Sequence, residues 1–305
     1  MASAGRQALL DLLRPGARVY VQGATGEPMD FVRLLEAEPA RANGVTFVSC
    51  LVPGMNAFDY ASLDDGARLE TFMLSPALRA SFAAGKTAIL PLRYSLIAQR
   101  MAADAFDLAV LHVAPPDEAG LCSFGVACDF GPMAWPRAKR VAAFVNPAMP
   151  RLKRGPAIAF SSIDLVLEAE TAPLHAPRAT ASEDLRAAAA HAAAFAPDGA
   201  AIQTGIGAAP AAILPFLKDR RGLRIASGMV SEEYRDLADA GALADRALHC
   251  TGIAWGGLDF YDYLAREDLT AFAVADVTHD VDMLGEIPAF ISFGSALEAD
   301  LFGQI

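Results

Sequence analysis

The sequence predicts an α/β protein of two open, mainly parallel-sheet domains. Three observations predict it. Short β-rich apolar runs alternate with amphipathic or alanine-rich stretches of helical period. Glycine junctions recur where such a run gives way to a helix. At 305 residues, 54% of them hydrophobic, the chain is long and apolar enough for two ordinary cores and is not disordered.

In chain order, the first series of strands is expected at 18–22, 45–51, 88–90, 108–113, 141–145 and 164–168, with helices at 28–42, 76–84 and 95–105. A polar, proline-containing stretch at 170–182 reads as a linker. Thr180, with Glu183 three residues on, forms a capping box that opens a helix over 185–195. The second series is strand 200–204, helix 210–218, strand 223–227, helix 232–240, strand 248–254, and strands at 271–275 and 289–293. The domains are therefore placed at 1–172 and 178–305. The last strand lies close to Leu301-Phe302-Gly303-Gln304-Ile305, with no terminal helix or polar tail, so the second domain is expected to be incomplete at its C-terminus. No repeat of solenoid period is visible.

Composition excludes several classes. The net charge of −11 and pI near 4.9 leave no basic face for nucleic acid, and the densest basic run, Arg151-Leu152-Lys153-Arg154, is short. Four cysteines, Cys50, Cys122, Cys128 and Cys250, form no Cys-x-x-Cys pair, which reads as reduced thiols and not as a disulfide frame or zinc site. Asp11 and Arg14 interrupt any N-terminal signal core, and no apolar run could span a bilayer. A soluble cytoplasmic protein, without membrane or nucleic-acid partners, is expected.

The strongest local signal is Gln203-Thr204-Gly205-Ile206-Gly207-Ala208-Ala209-Pro210. A buried strand enters a Gly-x-Gly turn, and proline follows in the first turn of a helix. Such a turn exposes backbone N–H groups at the carboxyl edge of a parallel sheet, where anionic ligands collect. A tight strand-to-helix turn would need the same two glycines without any ligand. The third glycine of a dinucleotide fingerprint is absent. Gly23-Ala24-Thr25-Gly26-Glu27-Pro28 is a similar junction in the first domain, read equally well as a plain turn. Gly85-Lys86-Thr87 is no P-loop, because Ala80 stands where a glycine is needed and a helix precedes it.

Pro115-Pro116-Asp117 through Gly125 reads as a rigid loop entering a hairpin, and Val145-Asn146-Pro147-Ala148-Met149-Pro150 as a strand leaving its sheet through two prolines. His112, inside an apolar strand, reads as a satisfied core residue. His279-Asp280-Val281-Asp282 matches no common metal spacing and reads as a solvated helix start, so no metal site is expected.

Together these segments resemble the acetyl-CoA hydrolase/transferase branch of the class I CoA-transferases, which includes the acetate, butyrate and 4-hydroxybutyrate CoA-transferases. The resemblance is carried in order by Gly26-Glu27-Pro28, by Pro115-Pro116-Asp117 with Gly120, Cys122, Ser123 and Gly125, and by Val145-Asn146-Pro147 with Met149-Pro150. Gln203 with Gly205-Ile206-Gly207 continues it, and Ser295-Ala296-Leu297-Glu298 with Asp300-Leu301 and Gly303-Gln304 closes it.

The resemblance implies two α/β domains with an active site between them, a CoA pocket lined by Gly205, Ile206, Gly207, Ala208 and Ala209, and a homodimer or higher homo-oligomer. It implies no permanently bound cofactor, coenzyme A esters as substrate, and a carboxylate as acceptor. Family members use a glutamate that attacks the acyl thioester and then carries CoA as a glutamyl thioester.

The sequence departs from that pattern. Arg224-Ile225-Ala226-Ser227-Gly228-Met229 puts Gly228 where the family glutamate stands at a strand tip, and Leu237 with Ala240-Gly241 keeps the flanking register. Glu232 and Glu233 follow one helical turn later, and Glu298 matches another family carboxylate, so Glu232 and Glu298 are the candidate replacements. Gly294 stands where the family has asparagine. Family chains also continue past the Gly-Gln segment, so a fragment, or completion by a second chain, is expected. Three readings remain open: a transferase or hydrolase working without the usual glutamate, a non-catalytic acyl-CoA-binding or regulatory subunit, and a structural partner. A glycine at 228 leaves room for water, which favours hydrolysis.

Overall fold

The structure is a computed structural model that describes residues 2–178, 180–296 and 298–304. Met1, Ala179 of the linker reading, Leu297 of the closing motif and Ile305 lie outside the described residues. The chain divides into two compact units, 1–175 with 274–276, and 176–273 with 277–305.

The first unit opens with helix α1 (Ala2–Leu10), strand β1 (Arg18–Val21), α2 (Met29–Ala37), β2 (Thr46–Val48) and β3 (Arg68–Thr71). It continues through α3 (Arg79–Ala83), β4 (Thr87–Ile89), α4 (Tyr94–Ala103), β5 (Leu108–Val113), β6 (Leu121–Ser123), α5 (Gly131–Ala134), β7 (Val141–Val145), β8 (Ala157–Ala159) and β9 (Leu165–Glu168). A seven-stranded sheet has the order β4-β3-β2-β1-β5-β7-β9, and every pairing in it is parallel. The central β5 is buried at each position, as an apolar strand covered on both faces should be. Phe31, Phe47, Tyr60 and Phe144 meet over one face, with Phe47 and Tyr60 centroids 5.1 Å apart.

The second unit holds α6 (Glu183–Ala193), β10 (Ala201–Thr204), α7 (Ala208–Ile213), β11 (Arg224–Ser231), α8 (Glu232–Asp239), β12 (Cys250–Trp255), α9 (Leu258–Glu267) and β13 (Ala271–Phe272). A short helix α10 (Ala275–Thr278), then α11 (Val281–Gly285) and β14 (Phe290–Phe293), complete the chain's regular elements. Its five strands order as β13-β12-β11-β10-β14, again all parallel.

The two sheets share a topological device. In each, the first strand lies inside the sheet, the next strands run outward on one side, and later strands add on the other. The switch falls at β1/β5 in one unit and at β10/β14 in the other. Ligands of open parallel sheets bind outside the carboxyl ends of the strands at such a point. The two glycine junctions picked out in the sequence follow β1 and β10, so each sits at its unit's switch point.

Three expectations are corrected. The segment ending at Gly125 does not enter a hairpin: β6 pairs antiparallel with β8, beyond two further elements. Helix α6 begins at Glu183 and not at 185, capped by the Ser182 hydroxyl, which accepts from Leu185 N–H at 3.2 Å, and not by Thr180. Strand β3 was not expected, because its sequence Arg68-Leu69-Glu70-Thr71 carries charge at alternate positions. Glu70 accepts both guanidinium nitrogens of Arg18 at 2.9 and 2.8 Å and one of Arg100 at 3.1 Å, which gives those charges partners on the sheet.

Candidate active site around the β10 turn and position 228

The turn after β10 is open. Thr204 is the last residue of the strand, and Gly205 N–H is held by Phe293 C=O of β14 at 2.8 Å. Gly207 has φ of +119°, a region that side chains avoid, and nothing lies near the place its Cβ would take. Ile206 and Gly207 are exposed, Ala208 and Ala209 partly so, while Pro210 is buried as the anchor of α7. Residues 205–209 therefore present backbone to solvent at the switch point.

The matching junction after β1 is shut. Residues 23–28 are buried. A Cβ on Gly23 would strike Cys50 C=O, and one on Gly26 would strike Gln22 and Ala127. Thr25 Oγ1 donates to Val126 C=O at 2.9 Å, and Glu27 accepts from Asn56 and from Tyr60 at 2.8 and 2.9 Å. Burial raises the Glu27 pKa, against those two hydrogen bonds. One switch point is filled with protein, the other is not.

Ser227 ties the open turn to position 228. Its Oγ accepts from Thr204 N–H at 3.2 Å and donates to Met229 C=O at 2.7 Å, so residues 204 and 228 flank one hydroxyl on neighbouring parallel strands. Thr204 Oγ1 also meets the buried Tyr234 hydroxyl at 3.0 Å. Burial pushes that phenol up to about 12, so it stays neutral.

Position 228 differs from the expectation in two ways. It lies inside β11, which runs on to Ser231, and is not a strand tip. Nor is it an open water site. A Cβ there would stand 2.4 Å from Cε1 and 2.7 Å from Nε2 of His279, so the ring would have to shift to admit one. The imidazole fills the space. His279 is accordingly half-buried and not a solvated helix start, and desolvation lowers its pKa to about 4. Only Asp280 caps α11, accepting from Met283 N–H at 2.8 Å. Among the described residues no cluster could hold a metal ion.

Neither candidate replacement carboxylate is shown beside position 228. Glu232 Oε1 accepts from Gly257 N–H at 2.7 Å, which fastens the start of α9. Glu298 is exposed, in a terminal turn where Asp300 accepts from Phe302 and Gln304 N–H groups. Glu233, buried, pairs with Arg178 at 2.9 Å and accepts from Ser231 at 2.6 Å. Gly294 is exposed and has nothing near its absent Cβ. In the first unit His112 is a buried core residue. Its Nε2 meets the Asn146 amide at 2.8 Å, Nδ1 has no hydrogen bond of normal geometry among the described residues, and burial lowers its pKa to about 4. The segments around Gly125 and Met149 pack directly on each other, since a Cβ on Gly125 would strike Met149 Sδ. The sequence singled out 228 but missed His279; its only trace there was a histidine at a helix start.

Comparison with known proteins follows the same lines. The pattern of the acetyl-CoA hydrolase/transferase N-terminal domain matches residues 5–174. The chain is 28% identical over 299 residues to the 4-hydroxybutyrate coenzyme A transferase of Clostridium kluyveri, covering 95% of this chain and 69% of that protein. It is 31% identical over 230 residues to the butyryl-CoA:acetate CoA-transferase of Anaerostipes caccae, covering 70% of this chain and 51% of that protein. Among solved structures, RipA from Yersinia pestis shares the fold with a TM-score of 0.87 at 22% identity, covering 98% of this chain and 74% of that one. The 4-hydroxybutyrate CoA-transferase of Porphyromonas gingivalis shares it with a TM-score of 0.80 at 22% identity, covering 97% and 73%. On the domain match, this chain belongs to the acetyl-CoA hydrolase/transferase family.

Proposed function

We propose that the chain binds an acyl-CoA thioester with the turn formed by Gly205, Ile206, Gly207, Ala208 and Ala209, and cleaves it with water in preference to passing CoA to a carboxylate. One observation carries the reading. The Ser227 hydroxyl joins the end of β10, which lies at the topological switch point, to β11 next to position 228, which supports reading the turn and that position as parts of one site. Transfer needs a carboxylate that can itself carry CoA as a thioester. Gly228 supplies none, and Glu232 is engaged with Gly257. Water needs no such carrier. The relatives named as CoA-transferases support thioester chemistry as the class of reaction, and the substrate needs no resident cofactor. Acyl-CoA binding without turnover is the second reading, favoured by the same loss at 228.

The test incubates the purified chain with acetyl-CoA, with and without propionate, and separates the CoA species by chromatography. Free CoA released independently of propionate is expected. Propionyl-CoA formed at a catalytic rate would restore the transferase reading, and intact acetyl-CoA would leave binding alone. Gly207→Val, which puts a branched side chain at positive φ in the open turn, should weaken CoA binding about tenfold or more; the backbone strain lowers its melting temperature as well, so affinity is measured well below that temperature. Unchanged affinity would remove the turn from the site.

A further inference from the structure

The bay at position 228 is built for the histidine that fills it. Between the pairs Ser227↔Thr251 and Met229↔Ile253, Gly228 of β11 faces Gly252 of β12. A Cβ on Gly252 would come 3.0 Å from Gly228 C=O and 3.6 Å from Thr278 Oγ1. Glycine inside a strand weakens it and marks a close approach by another group. Here two glycines lie side by side, and the group that approaches is the Thr278-His279 pair. His279 turns its Cε1–Nε2 edge toward Gly228, and its Nδ1 lies 2.9 Å from the Thr278 hydroxyl. Thr278 is buried, so this contact fixes the ring. In the tautomer whose Nδ1–H donates to Oγ1, Nε2 is the basic nitrogen.

We propose that His279 is the general base for thioester cleavage at this site, standing where the side chain of residue 228 would begin, and that Thr278 sets its tautomer. The inference rests on the reading of the β10 turn as the acyl-CoA site. In the step, Nε2 takes a proton from water while the water oxygen bonds to the thioester carbonyl carbon. The tetrahedral intermediate collapses, the C–S bond breaks, and the CoA sulfur leaves with the proton held on the imidazole. The products are the free acid and CoA. No oxidant, metal or acceptor is consumed. Burial keeps the ring in its neutral, base form at neutral pH.

The same geometry bears on putting a glutamate back. Gly228→Glu would bring its Cβ against the imidazole, so the ring would have to swing out of its present place before the carboxylate could enter.

Steady-state hydrolysis of a panel of acyl-CoA esters, from acetyl- to 4-hydroxybutyryl-CoA, tests the proposal. It is measured on the wild-type chain, His279→Gln and His279→Gly, with CoA affinity followed separately by calorimetry. Expected for His279→Gln is a loss of about 100-fold or more in kcat, with KM and CoA affinity within about threefold. For His279→Gly, imidazole added to the buffer should restore at least about tenfold, a rescue that a packing role would not give. Gly228→Glu combined with His279→Gly should gain propionate-dependent transfer that Gly228→Glu alone lacks. His279→Gln turnover within about twofold of wild type would overturn the proposal while leaving hydrolysis in place. A wild-type chain that binds CoA but cleaves no ester in the panel would also overturn it, and binding would stand. Failure to bind CoA at all would sink the acyl-CoA site itself.

Discussion

Asp129 shows what a single buried side chain commits the molecule to. Its Oδ1 accepts from Phe130 N–H at 2.9 Å, while Oδ2 has no hydrogen-bond partner among the described residues. Desolvation raises its pKa from 3.8 to about 7, against the two backbone hydrogen bonds. The nearby thiols of Cys50 and Cys128 and the phenols of Tyr20 and Tyr94 are pushed upward and stay neutral across this range. Because the folded pKa is the higher one, the folded chain holds the proton more tightly. The stability it contributes is whole below about pH 3.8 and is lost as pH rises through about 7, a change of up to about 4 kcal/mol. Melting curves of wild type and Asp129→Asn between pH 5 and 8 should show the wild type losing ground to the variant as pH rises. Parallel curves would mean that the carboxyl is not the titrating group. Nothing in the sequence marks Asp129, since its pKa comes from the apolar surroundings that folding assembles. Position 228 could be singled out in the sequence from the family resemblance. Its occupant could not, because His279 comes from an element distant along the chain and only the folded sheet brings its ring to Gly228.

At the scale of elements, burial decided what could be read. Strands β5 and β7 match the expected bounds, because runs covered on both faces are apolar throughout. Strand β11 was expected over 223–227, whereas the parallel neighbour β12 carries it on through Gly228 to Ser231. The start of α6 shows the limit of a motif taken without geometry: Thr180 and Glu183 have capping-box spacing, yet Ser182 makes the bond. Ser182→Ala should cost about 1 kcal/mol, as loss of a side-chain cap does. Thr180→Ala should change stability by only a few tenths. Urea midpoints of the two variants against wild type decide this, and equal losses would return the capping role to Thr180.

For the whole molecule, the stretch read as a linker holds no helix or strand among its described residues before Glu183, yet it is fastened near each end. Asp30 accepts from Glu170 and Thr171 N–H and from the Thr171 hydroxyl at 2.9–3.0 Å, holding the near end to the first unit. Arg178 pairs with the buried Glu233 at 2.9 Å and with Asp236, holding the far end to the second. Between them, Ala176 N–H bonds to Gly256 C=O, and His175 and Pro177 are exposed. Proteases cut where backbone can leave its partners cheaply, and Pro173 and Pro177 narrow the choice of bond. Brief subtilisin treatment should therefore make its first cut between residues 172 and 181 and leave two large fragments, each keeping one of the two parallel sheets. Arg178→Ala should speed that cut severalfold without changing the fragments, because it frees the far fastening and leaves both sheets alone. A first cut inside either sheet, or an Arg178→Ala rate equal to wild type, would show that the sheets and not this stretch are the weakest part of the backbone. The polar, proline-containing composition of 170–182 is what reads as a linker. Its two fastenings came only with the fold, because Asp30 and Glu233 lie far from it in the chain.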